Sequence, residues 1–234
     1  MALLRSTRSS QAAPMIRGSS VTLRAPFMTD YPAWAELRAA SREHLQPWEP
    51  LWSRDELSRG AFRHRVRHYQ REAREDLGYA YFVFVAPQPQ SRPRPKTTMA
   101  TRDHGNDFST DHARLLPRSP EPTLVGGVTL TNVRRGVTQT ATLGYWLGAP
   151  YTGRGLAHDA LQALIPFAFD ILRLHRIEAA VMPSNTPSLR VLERLGFTRE
   201  GIARRYLKIA GDWQDHFTYA LLAEDVGRAE GGAV

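Results

Sequence analysis

The stretch Leu143-Gly144-Tyr145-Trp146-Leu147-Gly148-Ala149-Pro150-Tyr151-Thr152-Gly153-Arg154-Gly155-Leu156-Ala157 decides how this chain reads. Before it, Thr138–Leu147 has the composition of a strand; after it, Leu156, Ala160, Leu161, Leu164, Phe167, Ala168 and Leu172 recur at helical spacing up to Leu174. A strand therefore passes through a two-glycine turn straight into a long helix. The glycines let the backbone approach a ligand closely, and the helix start offers free N–H groups at the positive end of the helix dipole, which together bind phosphate without a cationic side chain. A nucleotide-triphosphatase loop would continue Gly-Lys-Ser/Thr, whereas Gly155 is followed by Leu156-Ala157. A dinucleotide fingerprint would carry a third glycine where His158 stands. Neither pattern is met, and a turn that merely needs two glycines stays open as the bland alternative.

Working outward, Val21–Arg24 alternates as a short strand, and Asp30 with Pro32 starts a helix that carries Trp34 and Leu37 on one face. His44–Trp52 reads as a proline-broken loop. Ser53 and Glu56 form a capping box for a second helix with Leu57, Phe62, Val66 and Tyr69, stopping at Gly78. Tyr79–Val85 is aromatic and β-branched, hence a central strand. A hairpin of Val125–Val133 and Thr138–Leu147 turns at Arg134-Arg135-Gly136. Arg176–Met182 is an apolar strand, Thr186–Leu195 a short helix, and Ile202–Ile209 with Trp213–Leu222 a closing hairpin around Ala210-Gly211-Asp212. The order β-α-α-β-β-β-α-β-α-β-β predicts an α+β (α/β) fold: one domain over 21–226, a mixed sheet with helices against it.

Composition sets the frame around that domain. The 234 residues, 42% apolar and 23% charged, suit one soluble domain with an insertion. Ala86–Leu124 holds seven of the 16 prolines among Gln, Ser, Arg and Asp and is expected to be a disordered insertion. Residues 1–20 read as a mobile arm and 227–234 as a flexible tail. No run of about 18 apolar residues spans a membrane and no secretory core precedes Arg5, so the expected location is the cytoplasm, with no membrane partner. The absence of cysteine excludes disulfides, thiolate catalysis and cysteine-based metal sites. A net charge of +8 could steer the protein toward a ribonucleoprotein; the Arg59–Arg71 cluster, mixed with acidic residues, reads first as a solvated helix face.

A second segment, Asn185-Thr186-Pro187-Ser188-Leu189-Arg190-Val191-Leu192-Glu193-Arg194-Leu195-Gly196-Phe197, puts Asn185 and Ser188 at a helix start facing the same cleft. Together the two segments resemble the two acyl-CoA motifs of the GNAT superfamily of N-acyltransferases, the Gly-x-Gly pyrophosphate loop and the Asn-x-x-Ser-x-x-x-x-Glu-x-x-Gly-Phe element. Glu200–His216, with the run Pro47-Trp48-Glu49-Pro50, looks more closely like the RimJ type of ribosomal-protein-alanine N-acetyltransferase. The resemblance implies a mostly antiparallel sheet with a V-shaped splay between its fourth and fifth strands. It implies acetyl-CoA as co-substrate and no metal, with CoA held by Trp146, Leu147, Thr152, Gly153, Arg154, Gly155, Leu156, Ala157, Asn185 and Ser188. An N–H near Leu147 would receive the oxyanion of the attacked thioester. The acceptor implied is the N-terminal α-amine of a protein, a ribosomal protein beginning with alanine, attacked directly in a ternary complex.

Ser188 is by family position the proton donor to the departing thiolate, with Tyr206 the alternative and a local helix-start hydroxyl the competing reading. Glu49 is a candidate base or grip for the acceptor amine, or a surface carboxylate paired with arginine. Trp48 and Trp52 either wall the acceptor cleft or pack on the core. Two departures stand out. Pro150 occupies a place where many members carry Gln or Arg, and Arg205 stands where the RimL type has a Glu before its tyrosine. Asp215 and His216, neighbours on a strand, point to opposite faces, so Asp215 reads as a hairpin pairing residue. A small-amine acetyltransferase of the same fold and a basic nucleic-acid-binding module are the alternatives.

Overall fold

The structure, a computed structural model, describes residues 13–86 and 121–226. The expectations for residues 1–12, for 87–120 of the insertion and for the tail 227–234 lie outside them. Eight strands form one sheet in the order β1-β2-β3-β4-β5-β6-β8-β7. They are β1 (Ile16–Arg17), β2 (Val21–Arg24), β3 (Tyr79–Val85), β4 (Thr123–Arg134), β5 (Thr140–Leu147), β6 (Arg176–Val181), β7 (Thr198–Ile209) and β8 (Asp212–Leu222). Every pairing is antiparallel except β5 with β6. That parallel contact covers only Thr140–Thr142 against Arg176–Glu178, although β5 runs on to Leu147 and β6 to Val181. Beyond it the two strands part, which is the splay between the fourth and fifth strands of the sequence reading, renumbered by the additional β1.

Alternation along β3 sorts side chains into two layers, as the period of a strand requires. Tyr81 and Val83 enter the larger core, with Leu156, Ala160, Leu161 and Leu164 of α4 (Leu156–Pro166) and Leu192 of α5 (Thr186–Arg194). Phe82 and Phe84 enter a smaller core, with Trp34 and Leu37 of α1 (Tyr31–Ala40) and Phe62 and Val66 of α3 (Arg59–Glu75). The sheet is thus covered on both faces, α4 and α5 on one, α1 and α3 on the other. Among the described residues no helix is long and apolar enough to cross a membrane.

Local details correct the sequence reading in four places. Residues 13–20 are not a free arm: Ile16 and Arg17 pair with Leu23 and Thr22, and the Ser19 and Ser20 amides donate to the Asp159 carboxylate on α4 at 2.8 and 2.6 Å. The second long helix is capped by Ser58, whose hydroxyl accepts from the Ala61 amide at 3.1 Å; the Ser53 hydroxyl bonds Asp55 instead. That helix closes on Asp76 in the left-handed conformation (φ 58°), two residues before Gly78. The loop at 44–52 contains helical turns, α2 (Arg42–Leu45) and a 3-10 turn at Gln46–Trp48, because Pro47 fits the first turn of a helix as well as it breaks one. The long helix from Gly155 also changes at Pro166 into a π-helical turn, Phe167–Ile171, and the described residues end in a short α6 (Ala223–Val226).

Candidate active site

Gly153 and Gly155 have φ of 72° and 75°, the left-handed region that glycine enters at no steric cost, and nothing lies within 4 Å of the position a Cβ would take on either. Gly155 is the N-cap of α4 and supplies no side chain, so the first-turn amides have no cap. Among the described residues the amides of Gly153, Arg154 and Gly155 have no backbone partner either. The result is an open concavity of donors at the positive end of an 11-residue helix. Leu156 contributes only main chain, because its side chain is buried in the core. The Thr152 hydroxyl is spent on the Ala149 carbonyl at 3.0 Å, and the Arg154 guanidinium lies 5.5 Å from the Tyr151 ring.

The splay opens beside this cradle. The Gly148 amide donates to Val125 on β4, so by strand alternation the Leu147 and Tyr145 amides, beyond the paired stretch of β5 and β6, point the other way, into the gap between those strands. Across the gap Asn185 caps α5, its side chain accepting from the Ser188 amide at 3.2 Å. The cap is therefore Asn185, with the Ser188 amide as its donor, and the Ser188 side chain lies against the Tyr145 hydroxyl. The Tyr145 hydroxyl spans the splay to donate to the Ser188 carbonyl at 3.4 Å. Burial pushes the Tyr145 hydroxyl up from its ordinary pKa, the contact with Ser188 acting against that, so it stays a donor at neutral pH. Sequence reasoning missed Tyr145. Its place in the strand before the glycines was visible, but not that its side chain bridges to α5.

A cavity of about 450 Å³ opens on the other face of the sheet, over β4 and β5. Its walls include Trp34, Trp52, Trp146 and Phe82, with Arg38, Glu49, Glu56 and Arg65 among them. Glu49 is there, but not as a free carboxylate. Arg38 donates through both terminal nitrogens, 2.6 Å to Oε1 and 2.6 Å to Oε2, and the Trp52 indole N–H adds a third donor to Oε2 at 2.8 Å. Arg38 is 7% exposed, its guanidinium 4.4 Å from the Trp52 ring and 5.0 Å from the Trp146 ring. The surface pairing considered for Glu49 is thus a pair with a buried arginine inside the cavity. Glu56 pairs with Arg65, whose charge burial opposes while Tyr69 and Glu56 favour it, leaving the guanidinium above its ordinary pKa.

Other sequence candidates separate from this group. The Trp146 indole faces the cavity rather than the cradle, packed where a Cβ on Gly127 would lie 2.7 Å from its Nε1. Trp48 is half-buried and does not line the cavity; Trp52 does. Tyr206, half exposed on the edge strand β7, lies edge-on to His216 at 5.9 Å, outside the cavity. The Asp215 carboxylate accepts from the Arg205 amide at 2.8 Å across a bulge at φ 48°, the pairing role its position suggested, while His216 is buried. Arg38 was missed altogether, because nothing local marks one arginine on an amphipathic helix as the partner of a carboxylate 11 residues on.

An uncapped, glycine-formed helix start, a splayed parallel pair and a lined cavity on the opposite face are assembled from a sequence that also matches the model of the acetyltransferase (GNAT) domain over residues 20–198. The chain belongs to the GNAT acetyltransferase family. It is 32% identical over 211 residues to the probable N-acetyltransferase YjcK of Bacillus subtilis, covering 90% of this chain and 98% of the relative. It is 28% identical over 214 residues to the [ribosomal protein uS5]-alanine N-acetyltransferase of Escherichia coli, covering 91% and 93%. Among solved structures, Mycobacterium smegmatis RimJ in complex with CoA-disulfide superposes with a TM-score of 0.71 at 30% identity, covering 91% of this chain and 88% of that one. As a GNAT enzyme the chain is an acyltransferase, and the splayed sheet of the family is the frame for its chemistry.

Proposed function

We propose that this enzyme transfers the acetyl group of acetyl-CoA to the N-terminal α-amine of a protein, a ribosomal protein beginning with alanine, in the cytoplasm. The observation that carries this reading is the placement of an uncapped, glycine-formed helix start and a tryptophan-walled cavity on opposite faces of the sheet, with the splay between them. CoA pyrophosphate would take the amides of Thr152–Ala157, and the thioester would reach the splay, where the Leu147 amide points at its carbonyl oxygen. The acceptor would enter from the cavity, against Glu49 and Trp52. The nitrogen lone pair forms the new C–N bond, the C–S bond breaks with its electron pair on sulfur, and the proton shed by nitrogen ends on the CoA thiol. Ser188, at the start of α5 beside the splay and against the Tyr145 hydroxyl, is the proton donor to that sulfur. Tyr206, on the edge strand outside the cavity, has less support than Ser188 for that role. The exposed arginines of α3, Arg59, Arg63, Arg67, Arg71 and Arg74, support an electrostatic approach to a ribonucleoprotein.

A thermal-shift series with CoA, acetyl-CoA, NAD and ATP, followed by mass spectrometry of an alanine-initiated peptide, tests the proposal. Stabilisation by CoA and acetyl-CoA alone, with the addition of one acetyl group to the peptide, is expected; stabilisation by ATP alone overturns it. Within it, Ser188→Ala should lower kcat by about 10²-fold with the KM for acetyl-CoA nearly unchanged, since that hydrogen bond strengthens as thiolate charge develops.

A further inference from the structure

The cavity lining holds two carboxylates and two guanidiniums, paired as Arg38 with Glu49 and Arg65 with Glu56, so these four charges cancel. An ammonium entering it meets no unpaired anion among them. Glu49 already accepts three hydrogen bonds, two of them on Oε2, and an ionised carboxylate accepts about four. Its remaining capacity is on Oε1. A proton moved onto Glu49 would leave the Arg38 cation enclosed by two indoles without its counter-charge, the arrangement that buried ion pairs tolerate least. The other charged and titratable groups around the pair are Glu56, Arg65 and Tyr69 from the loop and α3, Arg42 from α2, 5.4 Å from the Trp52 ring, and Tyr145 from β5. None of them offers a second free carboxylate.

We infer that Arg38 is a positioning residue that holds Glu49 as a fixed hydrogen-bond acceptor for an amine arriving neutral, so that the cavity selects α-amines over lysine ε-amines by their basicity. This rests on the acetyl transfer to an α-amine proposed above and adds the residue that sets it and the physical basis of that choice. An α-amine has an ordinary pKa of ~7.7–8.0 and a lysine ~10.4, so at pH 7 roughly a tenth of the first and less than a thousandth of the second is neutral. The nitrogen loses its proton to solvent before it enters. Glu49 then orients the lone pair, and the second proton leaves after the C–N bond has formed, ending on the thiol.

The test uses the full chain and two peptides, one with a free N-terminal alanine and no lysine, the other N-terminally blocked with a single lysine. Acetylation is followed by mass spectrometry from pH 7 to pH 9.5. The expected preference for the α-amine is on the order of 10²–10³ at pH 7 and shrinks about 30-fold by pH 9.5, as lysine neutralises. A ratio that stays constant across this range overturns the inference. Arg38→Gln should free Glu49 to hold an ammonium and take its proton, flattening the acid limb of kcat/KM for the alanine peptide and changing its KM, while acetyl-CoA affinity stays unmoved. Arg38→Lys should restore the wild-type profile. Identical pH profiles for wild type and Arg38→Gln also overturn it, and if that variant does not fold, the two-peptide ratio of the wild type decides alone. Binding of acetyl-CoA without acetylation of either peptide overturns the proposed function beneath it, whereas a pH-independent ratio overturns this inference only.

Discussion

The glycine turn at Thr152–Ala157 and the cavity around Arg38, on opposite faces of the sheet, are made of different materials. The cradle is main chain: two glycines at positive φ, an uncapped helix start, and no side chain within 4 Å of where either glycine would carry one. The cavity is side chain: an arginine from α1, a glutamate and a tryptophan from the following loop, an arginine from α3 and a tryptophan from β5. A backbone site tolerates change in its surroundings but not in its own φ. A side-chain site depends on partners staying paired, because each charge left alone in the cavity costs more than the pair contributes. Under the proposed function, binding of the co-substrate and choice of the acceptor are thereby expected to be separable.

Substitutions on the two sides should therefore break different things. The largest effect is expected for Gly155→Val. A β-branched residue at φ 75° is strained and its side chain fills the open space of the cradle, so acetyl-CoA affinity should fall on the order of 10³-fold, about 4 kcal/mol. Isothermal titration measures it, and affinity within tenfold of wild type would mean that phosphate binds elsewhere. Next is Arg38→Ala, which leaves Glu49 unpaired beside Trp52 and empties the space between two indoles. A loss of about 3 kcal/mol of stability is expected, roughly 6–12 °C in Tm, with the Kd for acetyl-CoA unchanged in the folded protein. Loss of CoA affinity in that variant would show that the two sites are coupled. Smallest is removal of residues 87–120 with a short glycine linker in their place. Val85 and Thr123 are register partners across β3 and β4, so the cut ends are already neighbours, and both acetyl-CoA binding and Tm should stay near wild type. A deleted protein that no longer binds acetyl-CoA would make that segment part of the site.

Local rules carried the reading a long way. The period-two and period-3.6 segments, the two-glycine turn at Gly153-x-Gly155 and the Asn185 helix start are features of contiguous residues, since strand alternation, helix spacing and positive φ act within a few positions of the chain. The boundaries of single helices were less legible where two local solutions compete: Ser53 and Ser58 are both competent caps, Pro47 opens a turn as readily as it ends one, and Asp76 closes α3 in the conformation usually left to Gly78. The strand β1 was hidden because two residues carry no period; it is held by its pairing with β2 and by Asp159, about 140 positions away, which accepts from Ser19 and Ser20.

What the sequence determined by itself is the order of elements, the covered sheet and the two-glycine helix start, all of which follow from backbone geometry and the spacing of apolar residues. Tertiary structure alone decided that Arg38 and not solvent faces Glu49, that Trp146 turns its indole to the acceptor side, that Tyr145 reaches across the splay to Ser188, and that Tyr206 stays outside. Those contacts join residues from different elements, and which side chain meets which depends on how the helices pack on the sheet. The identity of a residue states what bonds it can make; only the fold brings the partner within 3 Å.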